Sequence, residues 1–232
     1  MQKEFVNSRD AIKVEEPLPH ARRSRIAWFG GSFDPIHNGH LQIANQLLER
    51  KLCDEVVFVP ASIPPHKTGR ELMSAGDRLE MLRLATASLN GIGYTDIELR
   101  REGVSYTYDT MALLKRVYPD CDMLFVIGMD SLCQLQNWHR AVDLVRMVDF
   151  IVYPRPGVTP SSYLELEAFF GPVVATKLMH SILPDTIPLY DVSSSEVRRR
   201  LAAGEDVSDL LPESVCEYIK KHGLYQKENG NV

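Results

Sequence analysis

The apolar run Ile26-Ala27-Trp28-Phe29 stops on two glycines, and the eleven residues Gly30-Gly31-Ser32-Phe33-Asp34-Pro35-Ile36-His37-Asn38-Gly39-His40 lead from it into an amphipathic segment. A strand that ends in glycines and starts a helix constrains the fold strongly, because it belongs to sheets whose strand ends carry ligands. Backbone N–H groups and the positive end of the helix then meet at one point, where an anion is favoured. His37 and His40 stand three residues apart. With a helix beginning near Asn38 they lie on neighbouring turns and converge on one ligand.

After this segment, short β-branched or aromatic runs alternate with longer amphipathic ones. That alternation predicts an α/β fold, a Rossmann-like doubly wound parallel sheet with a small C-terminal helical portion. Strands are expected at Ile26–Phe29, Val56–Val59, Tyr94–Ile97, Met123–Ile127, Phe150–Tyr153 and near Leu189. Helices are expected at Leu41–Leu48, Asp77–Leu89, Thr107–Val117, Ala141–Val145, Tyr163–Phe170 and Glu196–Leu201. A last one runs from Pro212 to Lys221 and stops at Gly223, as helix-end preferences require. Residues 1–24 are polar, mixed in charge and aperiodic, and read as a flexible extension. Residues 25–225 read as a single domain and 226–232 as a polar tail. No internal repeat is visible.

A chain of 232 residues, 44% of them hydrophobic, is long enough to bury a substantial core. Its net charge of -5 argues against a nucleic-acid partner, which needs a concentrated basic surface. A small anionic ligand needs only a local positive site. Cys53, Cys121, Cys133 and Cys216 show no paired spacing, which argues against a zinc site or a disulfide framework and for buried thiols in a reducing compartment. No apolar run is long enough to span a bilayer, and Lys3, Glu4, Arg9 and Asp10 break any signal-peptide core, so a cytoplasmic protein without a membrane partner is expected. Nothing in the composition speaks against a homo-oligomer.

Gly30 to His40 resembles the signature of the nucleotidyltransferase superfamily with the HxGH motif. Asp34-Pro35 and His37 resemble the variant found in nicotinate mononucleotide adenylyltransferases, with Ser32 where that family usually has threonine. The likeness runs from Ile26 to Tyr225. It implies an enzyme that transfers the adenylyl group of ATP to nicotinate mononucleotide, releasing pyrophosphate, with magnesium bridging the phosphates and no resident metal-ligand set.

The resemblance implies roles for particular residues. His37, His40, Lys67 and Arg198 would carry the catalysis, Lys67 from the loop Ile63-Pro64-Pro65-His66-Lys67-Thr68 and Arg198 from Val192-Ser193-Ser194-Ser195-Glu196-Val197-Arg198. Gly30, Gly31, Ser32, Phe33, Gly39, Gly128, Asp130, Ser193 and Ser194 would bind ATP. Tyr106, Thr107, Tyr108, Trp138 and His139 would take the mononucleotide, with Trp138 offering a flat face to the pyridine ring and amides near Thr107 and Tyr108 receiving its carboxylate. Ser193 and Glu196 also satisfy a capping box, which needs no ligand. Trp138 and Tyr106 can equally fill the core margin. Asp34 reads as structural, because Asp-Pro at a turn bonds nearby backbone N–H groups.

Rival readings remain at this level. Nicotinamide mononucleotide or phosphopantetheine could be the acceptor, and a cytidylyltransferase has a similar phosphate grip. A non-catalytic nucleotide sensor would keep the fold, although it would be expected to lose one of the phosphate-binding side chains. The HIGH element of class I aminoacyl-tRNA synthetases also resembles residues 37–40, but no KMSKS-like loop or basic surface accompanies it.

Overall fold

A computed structural model of the chain describes residues 24–63, 72–101, 103–155, 157–159, 161–184 and 192–226. Its centre is a sheet of five parallel strands in the order β3-β2-β1-β4-β5. These are β1 (Arg25–Gly31), β2 (Glu55–Pro60), β3 (Ile92–Tyr94), β4 (Asp122–Gly128) and β5 (Asp149–Tyr153). The helices are α1 (Asn38–Glu49), α2 (Ala75–Thr86), α3 (Thr107–Val117), α4 (Met129–Leu132), α5 (Ala141–Met147), α6 (Tyr163–Phe170), α7 (Pro172–His180), α8 (Ser194–Ala203) and α9 (Glu213–His222).

Successive strand residues face opposite sides, and each side meets its own helical layer. Ala27 and Phe29 of β1 pack with Ile43 and Leu47 of α1, Met81 of α2, Val197 of α8 and Ile219 of α9. Ile26 and Trp28 face the other way, into a cluster with Met111 of α3, Leu144 of α5, Leu166 of α6 and Leu178 of α7. The two faces explain why the strands read as near-continuous apolar runs rather than alternating ones. The chain is therefore doubly wound, as the alternation of runs predicts, and α8 and α9 form the C-terminal helical portion.

One strand differs from expectation. β3 covers Ile92–Tyr94 rather than Tyr94–Ile97. The Thr95 hydroxyl accepts a hydrogen bond from Ile97 N at 3.3 Å, and Asp96 pairs with Arg100 at 2.6 Å, so side chains turn the backbone off the sheet edge just after Tyr94. The strand expected near Leu189 lies outside the described residues. Helix α7 was not expected from the sequence, nor were α4 and the 3₁₀ turn at Leu135–Asn137.

Candidate active site

Strand order reverses between β1 and β4, and the carboxyl ends of such strands border a crevice. A cleft of about 910 Å³ lies there, floored by Gly30 and Gly31 from β1, Ile127 and Gly128 from β4 and Tyr153 from β5. Its volume suits a ligand of nucleotide size. Three of the longer helices open their N-termini onto it: α1 through His37 and His40, α3 through Tyr106 and Thr107, and α8 through Ser193, Ser194 and Ser195. Each supplies orphan N–H groups and a partial positive charge, so the cleft favours anions although the chain is acidic.

The glycines make room for this convergence. A Cβ on Gly30 would come within 2.8 Å of the Phe125 ring, and one on Gly39 within 2.8 Å of Val192 Cγ1. Gly39 is buried and does not line the cleft; its part is to let residue 192, just before α8, and the His37 ring pass close to α1.

His37 and His40 lie with ring centroids 3.6 Å apart and planes within 22°. His37 N donates to His40 Nδ1 at 3.3 Å. That bond makes Nδ1 the acceptor and puts the ring proton on Nε2, so neutral His40 is a hydrogen-bond donor at Nε2. Phe33, fully buried, supports the His40 ring edge-on at 5.0 Å. His37 is 5% exposed, and its Nδ1 is buried with no partner among the described residues. Burial, with a further push from the positive Arg155, lowers the His37 pKa to about 3. His37 is therefore neutral at physiological pH.

At the start of α8, Ser193 Oγ accepts from Glu196 N at 3.2 Å, which is half of a capping box. The other half is absent because the Glu196 carboxylate pairs with Arg199 and Arg200. The Ser194 hydroxyl donates to Pro35 O at 3.0 Å, so it ties α8 to the glycine-rich turn. Arg198 lines the cleft, with Nη1 donating to Asp34 O at 2.6 Å and Nη2 to Ser195 Oγ at 3.0 Å. The amides of Ser194 and Ser195 have no acceptor among the described residues, and they face the cleft end of the helix.

The opposite end of the cleft is aromatic. Trp138 is half-buried, edge-on to Phe125 at 6.3 Å, and lines the cleft, so it fills the core margin and offers a ring face at once. The exposed His139 ring lies 4.4 Å from that of Tyr106. Thr107 lines the cleft. Tyr108 does not; its ring lies beneath Arg140 at 3.9 Å, although its amide belongs to the open first turn of α3.

Ser32, Phe33, Gly128 and Asp130 line the cleft together with the residues above. Lys67 and the prolines before it lie outside the described residues.

Two charged lining residues escaped the sequence reading. Arg155 projects from just past β5, with Nε 3.4 Å from Asp130 Oδ1 and Nη2 donating to Tyr153 Oη at 3.3 Å. Its position two residues past an expected strand was the available signal, since open sheets place ligands at such ends. Glu98 is buried and accepts from Thr110 Oγ1 at 2.7 Å. Burial raises its pKa, against the opposing pull of hydrogen bonds from Thr110 and Ser105. No local motif marks it.

Comparison with known proteins gives a consistent picture. The cytidylyltransferase-like family pattern matches residues 28–200. The chain is 36% identical over 200 residues to a probable nicotinate-nucleotide adenylyltransferase of Clostridium tetani (strain Massachusetts / E88), covering 86% of this chain and 98% of that one. It is 40% identical over 202 residues to a protein of the same description from Bacillus pumilus (strain SAFR-032), covering 87% and 98%. Among solved structures, the Plasmodium falciparum nicotinic acid mononucleotide adenylyltransferase complexed with NaAD shares the fold with a TM-score of 0.69 at 22% identity, over 88% of this chain and 98% of that one.

Proposed function

The chain belongs to the cytidylyltransferase-like family and, within it, to the nicotinate-nucleotide adenylyltransferases, and we propose that it joins ATP and nicotinate mononucleotide into nicotinate adenine dinucleotide for NAD biosynthesis. The mononucleotide phosphate attacks the α-phosphorus of ATP; the new P–O bond forms as the bond to the β-phosphate bridging oxygen breaks, and pyrophosphate leaves. The attacking phosphate is already ionised, so the protein works by positioning and by stabilising charge rather than by proton transfer.

The observation that carries this reading is the convergence of three helix N-termini and the His37–His40 pair on one cleft at the strand switch point. Two anionic substrates must meet there. In our assignment the α1 and α8 ends, His37, His40 and Arg198 hold the ATP phosphates, with His40 Nε2 beside the α-phosphate. Arg155 and Lys67 offset charge on the leaving pyrophosphate. The open turn of α3 and the Trp138 face take the mononucleotide, its carboxylate on the amides of Thr107 and Tyr108.

Among the described residues no group of three or more His, Cys, Asp and Glu side chains is placed to hold an ion. Asp34 is fully buried with its Oδ1 bonded from Met73 N at 3.4 Å, and Asp130 faces Arg155. In this reading magnesium enters with ATP as part of the substrate, held by phosphate oxygens and water, the coordination this ion prefers. None of the four cysteines is in a disulfide, which fits a reducing compartment, and the cytoplasm is the one this reading assigns; no described helix is long and apolar enough to cross a membrane.

The test is pyrophosphate release from ATP, magnesium and nicotinate mononucleotide. Replacing His40 by Ala should lower kcat roughly 10²- to 10³-fold, the loss that follows removal of one preorganised donor to the transition state. Unchanged turnover in the folded variant would remove His40 from the mechanism.

A further inference from the structure

The turn from Ser32 to Pro35 is held from below by groups far away in sequence. Arg78 of α2, itself 2% exposed, donates Nη1 to the carbonyls of Ser32 and Ala61 at 2.8 Å each, and Nε to Met73 O at 3.0 Å. From α8 come the bonds of Arg198 to Asp34 O and of Ser194 to Pro35 O. The last clamp comes from beyond α9, where Tyr225 Oη donates to Asp34 Oδ1 at 2.7 Å.

Asp34 is fully buried. A carboxyl group in that position is costly to hold unless hydrogen bonds satisfy it, so each donor it has helps to fix its orientation. The chain is shaped to deliver this one. Gly223 caps α9 at φ +62°, Leu224 N returns to Ile219 O at 3.0 Å, and Tyr225 itself takes φ +61°. A non-glycine residue in that left-handed region is strained and persists where its surroundings determine it. Burial, and then the charge of Asp34, raise the Tyr225 pKa well above the ordinary tyrosine value. The hydroxyl thus remains a donor throughout the neutral range.

The geometry points to Tyr225 as a positioning residue for the ATP half of the site: its hydroxyl, acting through Asp34, holds the Ser32–His37 segment in the shape that aims His37 and His40 into the cleft. This rests on the adenylyltransferase reading above. It gives the C-terminal end of the described chain, far from the glycine-rich turn in sequence, a part in nucleotide binding.

The experiment measures ATP–magnesium affinity by titration calorimetry, and KM for each substrate, on the full chain. Tyr225→Phe keeps the ring and removes only the hydroxyl. Affinity and KM for ATP should weaken roughly ten- to a hundredfold, the range for one lost hydrogen bond to a charged group, while KM for the acceptor stays within about twofold. Tyr218→Phe is the control, because its hydroxyl anchors α9 to Asp77 at 2.8 Å without touching the turn. Both variants should lower Tm, yet Tyr218→Phe should leave ATP affinity within about twofold.

Asp34→Asn weakens the same bond from its other side and carries the test if Tyr225→Phe folds poorly. It should show the same selective loss for ATP, and the double variant should bind ATP no worse than the weaker single one. Unchanged ATP affinity in Tyr225→Phe, an equal loss in Tyr218→Phe, or additive losses in the double variant would each overturn the inference. If the wild-type chain neither binds ATP nor releases pyrophosphate, it is the functional reading that fails instead.

Discussion

Among single residues, His37 decides how charge is distributed at the end of the cleft that we assign to the ATP phosphates. Two stacked imidazoles would repel each other if both were protonated, and burial keeps this one neutral. The same shift links folding to pH. In the unfolded chain the ring takes a proton near its ordinary value of 6.5, whereas the folded protein resists protonation until about 3. The unfolded state therefore binds more protons between those values. The stability contributed by neutral His37 is complete above the unfolded value and is lost as pH falls, at a slope approaching about 1.4 kcal/mol per pH unit. Urea unfolding followed from about pH 7.5 to about pH 4.5 should show this slope, and His37→Asn should flatten it by about one proton. Equal slopes in both proteins would contradict the assignment. The two histidines were legible because their spacing is local. Arg155 and Glu98 were not, because each reaches the cleft only through where a strand or loop ends in space.

Among elements, α8 would combine a cap with the phosphate grip proposed above. Ser193 satisfies Glu196 N, while the amides of Ser194 and Ser195 are left for an anion. Ser193→Ala should cost about 0.5–2 kcal/mol of stability, the usual worth of an N-cap, and should be read as a lower urea midpoint. KM for ATP should change by less than about threefold, since the amides remain. A much larger rise in KM would make the Ser193 hydroxyl itself the phosphate ligand. Helices α3 and α6 fall at Thr107–Val117 and Tyr163–Phe170, where the sequence reading places them, because their start and stop signals are local. Helix α7 escaped notice although Pro172 at its start is a local signal, because the β-branched Val173 and Val174 that follow have low helix propensity. Its formation depends on packing Ala175 and Leu178 against the sheet-side cluster, a long-range effect. The end of β3 was misjudged for a comparable reason, since side-chain bonds at Thr95 and Asp96 end the strand.

At the level of the whole molecule, the doubly wound sheet brings the ends of β1, β4 and β5 and the starts of α1, α3 and α8 to one crevice. An acidic chain can thereby hold two phosphorylated substrates using backbone dipoles and a few cations, without a basic surface. The two ends of the crevice differ in kind. One, assigned above to the ATP phosphates, is rich in hydrogen-bond donors, and the other presents Trp138, Tyr106 and the open turn of α3. That difference makes the acceptor the most discriminating variable. The direct measurement is pyrophosphate release with ATP and magnesium against nicotinate mononucleotide, nicotinamide mononucleotide and phosphopantetheine, each at equal concentration. Highest kcat/KM with nicotinate mononucleotide is the predicted result; preference for phosphopantetheine, or no release with any of the three, would contradict the account.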